Sequence, residues 1–305
     1  MLLFWSKVGQ ADVVKADELM GAARAAFALG DLEKTLSLAT TAISLYETVH
    51  LNTKLADARV MVAQTLAALG QVDPAAEEYE RALALIGSSP QSASLALALG
   101  ELYLGARRHD EALAALTRAR DVSAKFSLAD VQLQVVCRIA YLHYDREAWA
   151  ASERAYREAL RLAEAQANTE ALDSILLELG NCVAQQGRFE AARALFERGA
   201  QAARATGDPK ALSAALHGMA VTYVATEELD EAARLFNESL RLKLRTNDRV
   251  GVAHTLYELG VMEAEMGRCE SALDLLEQSV MVFEAAGAHE VEVARAGYET
   301  YAVAC

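Results

Sequence analysis

The sequence predicts an all-α protein, an α-solenoid of about seven antiparallel helix-hairpin repeats plus a terminal helix. Three observations predict it. Proline occurs only three times in 305 residues, while hydrophobic residues make up 53% of the chain, much of that Ala and Leu. Unbroken, tightly packed helices favour both conditions. Apolar residues recur at offsets of three and four, the spacing of one helix face. A turn then returns at Gly30, Gly70, Arg107, Glu147, Gly187, Glu227 and Gly267, with separations of 40, 37, 40, 40, 40 and 40. A period held over seven units marks stacked repeats.

The unit at Leu177–Arg204, LELGNCVAQQGRFEAARALFERGAQAAR, shows the design most clearly. Leu176, Leu179 and Val183 lie around Gly180 on one helical face. Gly187 ends that helix where a positive φ costs little. Phe189 opens the second helix, and Ala192, Leu195, Phe196 and Gly199 follow at helical spacing. The small residues let the two helices approach without a void. A lone hairpin cannot bury both apolar faces, so the units must stack.

Taken in order, repeat one spans about 13–48, with Asp31 as N-cap of its second helix. Repeat two spans 54–86 and repeat three 91–124. Repeat four, 128–165, departs most: Ala140 replaces the central glycine, Ser152 the alanine of the second helix, and Trp149 fills the aromatic slot after the turn. Repeats six and seven span 210–245 and 250–286. Pro74 follows Asp73, the predicted cap of its helix, while Pro90 and Pro209 fall between repeats; all three punctuate helices. Three segments result: an apolar arm at 1–12, the solenoid at 13–288, and a terminal capping or truncated-repeat helix at 289–305.

Leu179-Gly180, the turn GRFEAA at Gly187–Ala192 and Phe196 together resemble the tetratricopeptide repeat. The forty-residue period is longer than the common form. Arrays of this length resemble kinesin light chains and the helical sensor domains of bacterial regulators and signalling NTPases, most closely over Glu238–Val280. The resemblance implies a right-handed superhelix whose first helices line a concave face.

Composition narrows the function. A net charge of −14 disfavours nucleic acid, because phosphate binding needs clustered Lys and Arg. MLLFWSKVGQ has too short an apolar run for a signal peptide, and no uncharged stretch approaches a membrane span. This leaves Leu2, Leu3, Phe4 and Trp5 as the sole candidates for membrane contact. Cys137, Cys182, Cys269 and Cys305 have no metal or redox spacing and read as reduced thiols of a cytoplasmic protein. No GxxxxGK[ST], HExxH or GxSxG motif is present, so no enzyme, cofactor or metal is expected.

The resemblance places groove residues at offsets −6, −3, −2, +1, +4 and +5 from each central small residue. The outer repeats offer mainly apolar side chains there. The middle and later repeats offer Arg138, Tyr141, Tyr144, Glu178, Asn181, Gln185, His217, His254 and Tyr257. Tyrosine gives large contact area at small entropy cost, and amides pair with a strand's backbone. His217 and His254 read as a pH-sensitive pair or as two metal ligands lacking a third. Paired lysines that hold a C-terminal carboxylate in some family members are missing.

These residues predict a non-enzymatic scaffold or adaptor that binds a peptide or partner helix in its groove. The alternatives are a peptide-sensing regulatory domain of a signalling or transcription system, and a scaffold that self-associates through its apolar terminal helix.

Overall fold

A computed structural model describes the backbone of residues 2–304 and the side chains of residues 10–304. The described residues form fifteen α-helices and no strand. They are α1 (Leu2–Ala28), α2 (Leu32–Thr48), α3 (Asn52–Ala68), α4 (Val72–Ile86), α5 (Pro90–Gly105), α6 (His109–Lys125), α7 (Ala129–Asp145) and α8 (Trp149–Ala165). There follow α9 (Thr169–Ala184), α10 (Phe189–Thr206), α11 (Pro209–Ala225), α12 (Leu229–Arg245), α13 (Arg249–Glu265), α14 (Cys269–Ala286) and α15 (Val291–Ala304). Within the units, α1, α3, α5, α9, α11 and α13 each pair with the even-numbered helix after it. The fold is an all-α repeat solenoid. α15 is a first-type helix without its mate. The backbone is helical from Leu2; the packing of Leu2, Leu3, Phe4 and Trp5 lies outside the described side chains.

All seven turn positions read from the sequence have a positive φ: 75° at Gly30, 74° at Gly70, 57° at Arg107, 56° at Glu147, 72° at Gly187, 61° at Glu227 and 73° at Gly267. A left-handed residue lets the next N–H reach back to the carbonyl five residues earlier, as Arg188 does to Val183 at 3.3 Å. Arg107, Glu147 and Glu227 adopt this conformation despite their side chains. The connections between repeats use the same device at His50, Ser127, Ala167 and Asn247.

Helix starts are set by side chains. Asp31, Asn168, Asp208 and Asp248 each accept a backbone N–H in the first turn that follows. Pro90 and Pro209 open α5 and α11. Asp73 is not the cap of its helix. α4 begins at Val72 with Gln71 before it, because the unpaired N–H groups of a first turn tolerate Pro74 without ending the helix. Asp73 instead forms an ion pair with Arg108.

Packing divides the chain into two compact units, Met1–Leu142 and His143–Cys305. The first encloses two apolar clusters. One is centred on Leu83, Leu99, Leu116 and Leu142, the other on Ala23, Ala42, Tyr46 and Ala58. In the second, Leu216, Leu235, Phe236 and Met262 form one cluster and Ala253, Phe283 and Ala294 another. Phe196 locks two repeats of this unit together. A Cβ on Gly180 would stand 2.5 Å from its ring, and one on Gly218 would stand 2.8 Å from it. The ring fills the space that two glycines on α9 and α11 leave open, and it is 1% exposed.

Candidate functional site

Within the units, first-type helices touch their counterparts one repeat on: α1 with α3, α9 with α11, α13 with α15. They form the inner layer. In the second unit the offsets place Glu178, Asn181 and Gln185 of α9 on its face. They add His217, Gly218 and Val221 of α11 and His254, Tyr257, Glu258, Val261 and Glu265 of α13. Arg138 and Tyr141 belong to the first unit, the other seven predicted site residues to the second.

In the first unit, Arg138 Nε donates to Glu101 Oε1 at 2.6 Å, with both side chains about half exposed. Tyr141 is 48% exposed. In the second, Tyr144 lies edge-on to Trp149 with centroids 4.9 Å apart. Burial raises its phenol, partly offset by a hydrogen bond from Gln185. It is thus a packing residue on one side and a polar one on the other. Tyr257 is likewise packed: its hydroxyl fills the place beside Gly297 of α15 that a Cβ there would need.

Asn181 Nδ2 donates to Glu178 Oε2 at 3.5 Å. Burial raises the Glu178 carboxyl, partly offset by that bond. Burial and then Glu265 raise the Glu258 carboxyl. The two histidines sit on phenylalanine rings from beneath, His217 edge-on to Phe236 at 5.2 Å and His254 edge-on to Phe283 at 4.9 Å. Burial, then the charges of Lys243 and His254, push His217 down to about 3. It is neutral at ordinary pH, so His217 does not switch near neutrality. Among the described residues no group of three or more His, Cys, Asp and Glu is placed to hold a metal.

Two polar clusters escaped the sequence. Lys243 of α12 is 6% exposed, and its Nζ donates to Thr255 Oγ1 of α13 at 2.9 Å. Thr255 in turn donates to the Gly251 carbonyl at 2.9 Å and lies 3.5 Å from His217 Nδ1. Since the single hydroxyl hydrogen is committed to Gly251, His217 bonds Thr255 only when Nδ1 carries its proton. Burial lowers Lys243 to about 8, with Asp248 opposing. The signal was one of register. Lys243 stands 16 residues past its turn, where the other repeats have Tyr46, Ile86, Ser123, Ala163, Ala203 and Phe283.

The second cluster is Glu153 of α8, whose carboxylate is 12% exposed. It accepts from Arg157 at 2.9 and 3.0 Å, from Arg188 at 2.9 and 3.1 Å, and from Gln186 at 2.9 Å. Burial raises this carboxyl, and the three donors together more than reverse it, leaving it lowered. The cluster ties α8 to the turn after α9. Beside it, Cys182 is buried with its sulfur 3.0 Å from Ser152 Oγ. The four cysteines are not all reduced: Cys137 and Cys182 are free, and Cys269 is disulfide-bonded. No helix of the described residues is long and apolar enough to cross a membrane.

Hairpins of this period, glycine-to-aromatic packing between helices and an inner layer of first helices define a helical-repeat interaction module. Models of the tetratricopeptide repeat match residues 171–245, 211–285 and 60–125. The chain belongs to the tetratricopeptide repeat family, whose members act as protein-interaction modules. No curated protein matches it in sequence.

Solved structures share the fold. One is the signal transduction ATPase with a tetratricopeptide repeat sensor, PH0952, from Pyrococcus horikoshii. It has TM-score 0.69 and 13% identity, over 88% of this chain and 40% of that one. BtubC from P. vanneervenii has TM-score 0.61 and 19% identity, over 71% of this chain and 92% of that one. A Rap protein complexed with competence and sporulation factor has TM-score 0.55 and 13% identity, over 96% and 97%.

Proposed function

We propose that the chain is a scaffold or adaptor that holds a peptide-like segment of a partner protein on the inner face of α9, α11 and α13. One observation carries this reading. That face presents hydrogen-bonding side chains held in place on a packed bed. The imidazoles of His217 and His254 rest on Phe236 and Phe283, while Asn181 has one long bond, to Glu178. Polar groups already held in place recognise an extended backbone without first losing rotamer freedom. Among the fold relatives, a Rap protein is complexed with competence and sporulation factor, which supports a bound partner as the role of this fold here.

The test is a pull-down from source-organism lysate with wild type beside Asn181→Ala/His217→Ala/His254→Ala, partners identified by mass spectrometry. A partner held by wild type and lost by the variant supports the reading. Partners retained equally by both overturn it.

A further inference from the structure

The inner face of the second unit has an uncompensated charge. Of the offset positions on α9, α11 and α13, none carries lysine or arginine, while Glu178, Glu258 and Glu265 carry carboxylates. Glu178 and Glu258 are half-buried, and no cation acts on either: the influences on Glu178 are burial and Asn181, those on Glu258 burial and Glu265. The buried lysine of this unit, Lys243, donates to Thr255 instead. Carboxylates elsewhere in this unit are treated differently, since Glu153 has two arginines and Glu228 has Arg193 at 2.7 Å. Between the two glutamates α11 presents Gly218 and the 42% exposed Val221 beside the uncharged His217.

We infer that the partner segment is cationic: an extended peptide with an aliphatic middle and a lysine or arginine at each end, one for Glu178 and one for Glu258. This rests on the peptide-binding reading above. The two carboxylates hold the same register position in repeats five and seven. Neighbouring helices pack about 8–10 Å apart, so the glutamates stand roughly 16–20 Å apart. An extended strand covers that distance in about five to six residues. A second copy of the chain does not fit the site, because it carries the same charge of −14 and is repelled.

The test is selection from a random dodecapeptide display library on the full wild-type chain and on Glu178→Gln/Glu258→Gln. Circular dichroism and thermal melting verify that the isosteric variant folds. Enriched wild-type binders are expected to carry two basic residues about five to six apart. As synthetic peptides in fluorescence anisotropy, they are expected to bind the variant about tenfold more weakly. Enriched peptides that are acidic or uncharged, or that bind both proteins equally, overturn the cationic assignment and leave the peptide groove standing. No peptide enriched on wild type overturns both.

Discussion

Lys243 donates to Thr255 at 2.9 Å inside the second unit, and no carboxylate pairs with it among the described residues. A charge buried without a counter-ion costs stability. Here the cost has a definite pH signature. The folded value of about 8 lies below a lysine's ordinary 10.5. Between these values the unfolded chain binds more protons, so stability rises with pH across that window, by up to about 3 kcal/mol. Lys243→Met removes the charge and keeps the length. It is expected to raise stability at pH 7 by roughly 1–3 kcal/mol and to flatten the curve between pH 8 and 10.5. Urea melts at half-unit pH steps measure both. A variant no more stable than wild type at pH 7 would show that the ammonium is solvated.

Phe196 between two glycines makes a second prediction. Gly180→Ala drives a methyl into a ring 2.5 Å away, and overpacking of a dense core costs roughly 1–3 kcal/mol. Gly180→Ala/Phe196→Leu is expected to recover part of that loss, because the smaller side chain yields space. Thermal melts of the single and double variants decide it; a double variant no better than the single would mean the clash is relieved elsewhere.

Glu153 makes stability rise with pH as Lys243 does, but in the acid range instead of the alkaline one. Its folded acidity is lowered, so its contribution is full above the unfolded carboxylate value of 4.5 and is lost as pH falls below it. Glu153→Gln is expected to lower stability at pH 7 and to converge with wild type as pH falls through the range below 4.5. Arg188 and Arg157 remain about half exposed and stay hydrated, which holds the loss to about 1–2 kcal/mol. Acid titration followed by circular dichroism reads the convergence.

Burial pushes the thiols of Cys137 and Cys182 up to about 11 from an ordinary 9. Their thiolate fraction near pH 8 is then about a hundredfold below that of a free cysteine. Both are expected to react slowly with Ellman's reagent in the native protein and at once in guanidinium. A fast native phase that Cys182→Ala abolishes would contradict the burial of that sulfur.

Much of the array was legible in the sequence because repetition states each rule several times. Seven turns, five of their six separations equal to 40, fix fourteen helix positions, and small-to-large complementarity such as Gly180 with Phe196 follows from the same register. The candidate groove was legible only as a set of positions. Tyr144 and Tyr257 satisfy the offsets, yet their rings serve partly as packing against Trp149 and α15. Lys243 was hidden because RLKLR near a helix end reads as a solvated basic run; its burial depends on the residues of α13 beyond the next turn. Glu153 was hidden likewise, since its partner Arg188 lies 35 residues away.

The left-handed turns carry one more consequence. Side chains with a Cβ resist that conformation by about 1–2 kcal/mol, yet Arg107, Glu147 and Glu227 hold it in the turns between paired helices. The geometry is therefore imposed by the stack and not chosen by the local residue. Those three sites are dials on the array: glycine there would tighten single hairpins one at a time, letting the rigidity of each repeat be set separately while every inner-face side chain stays in place.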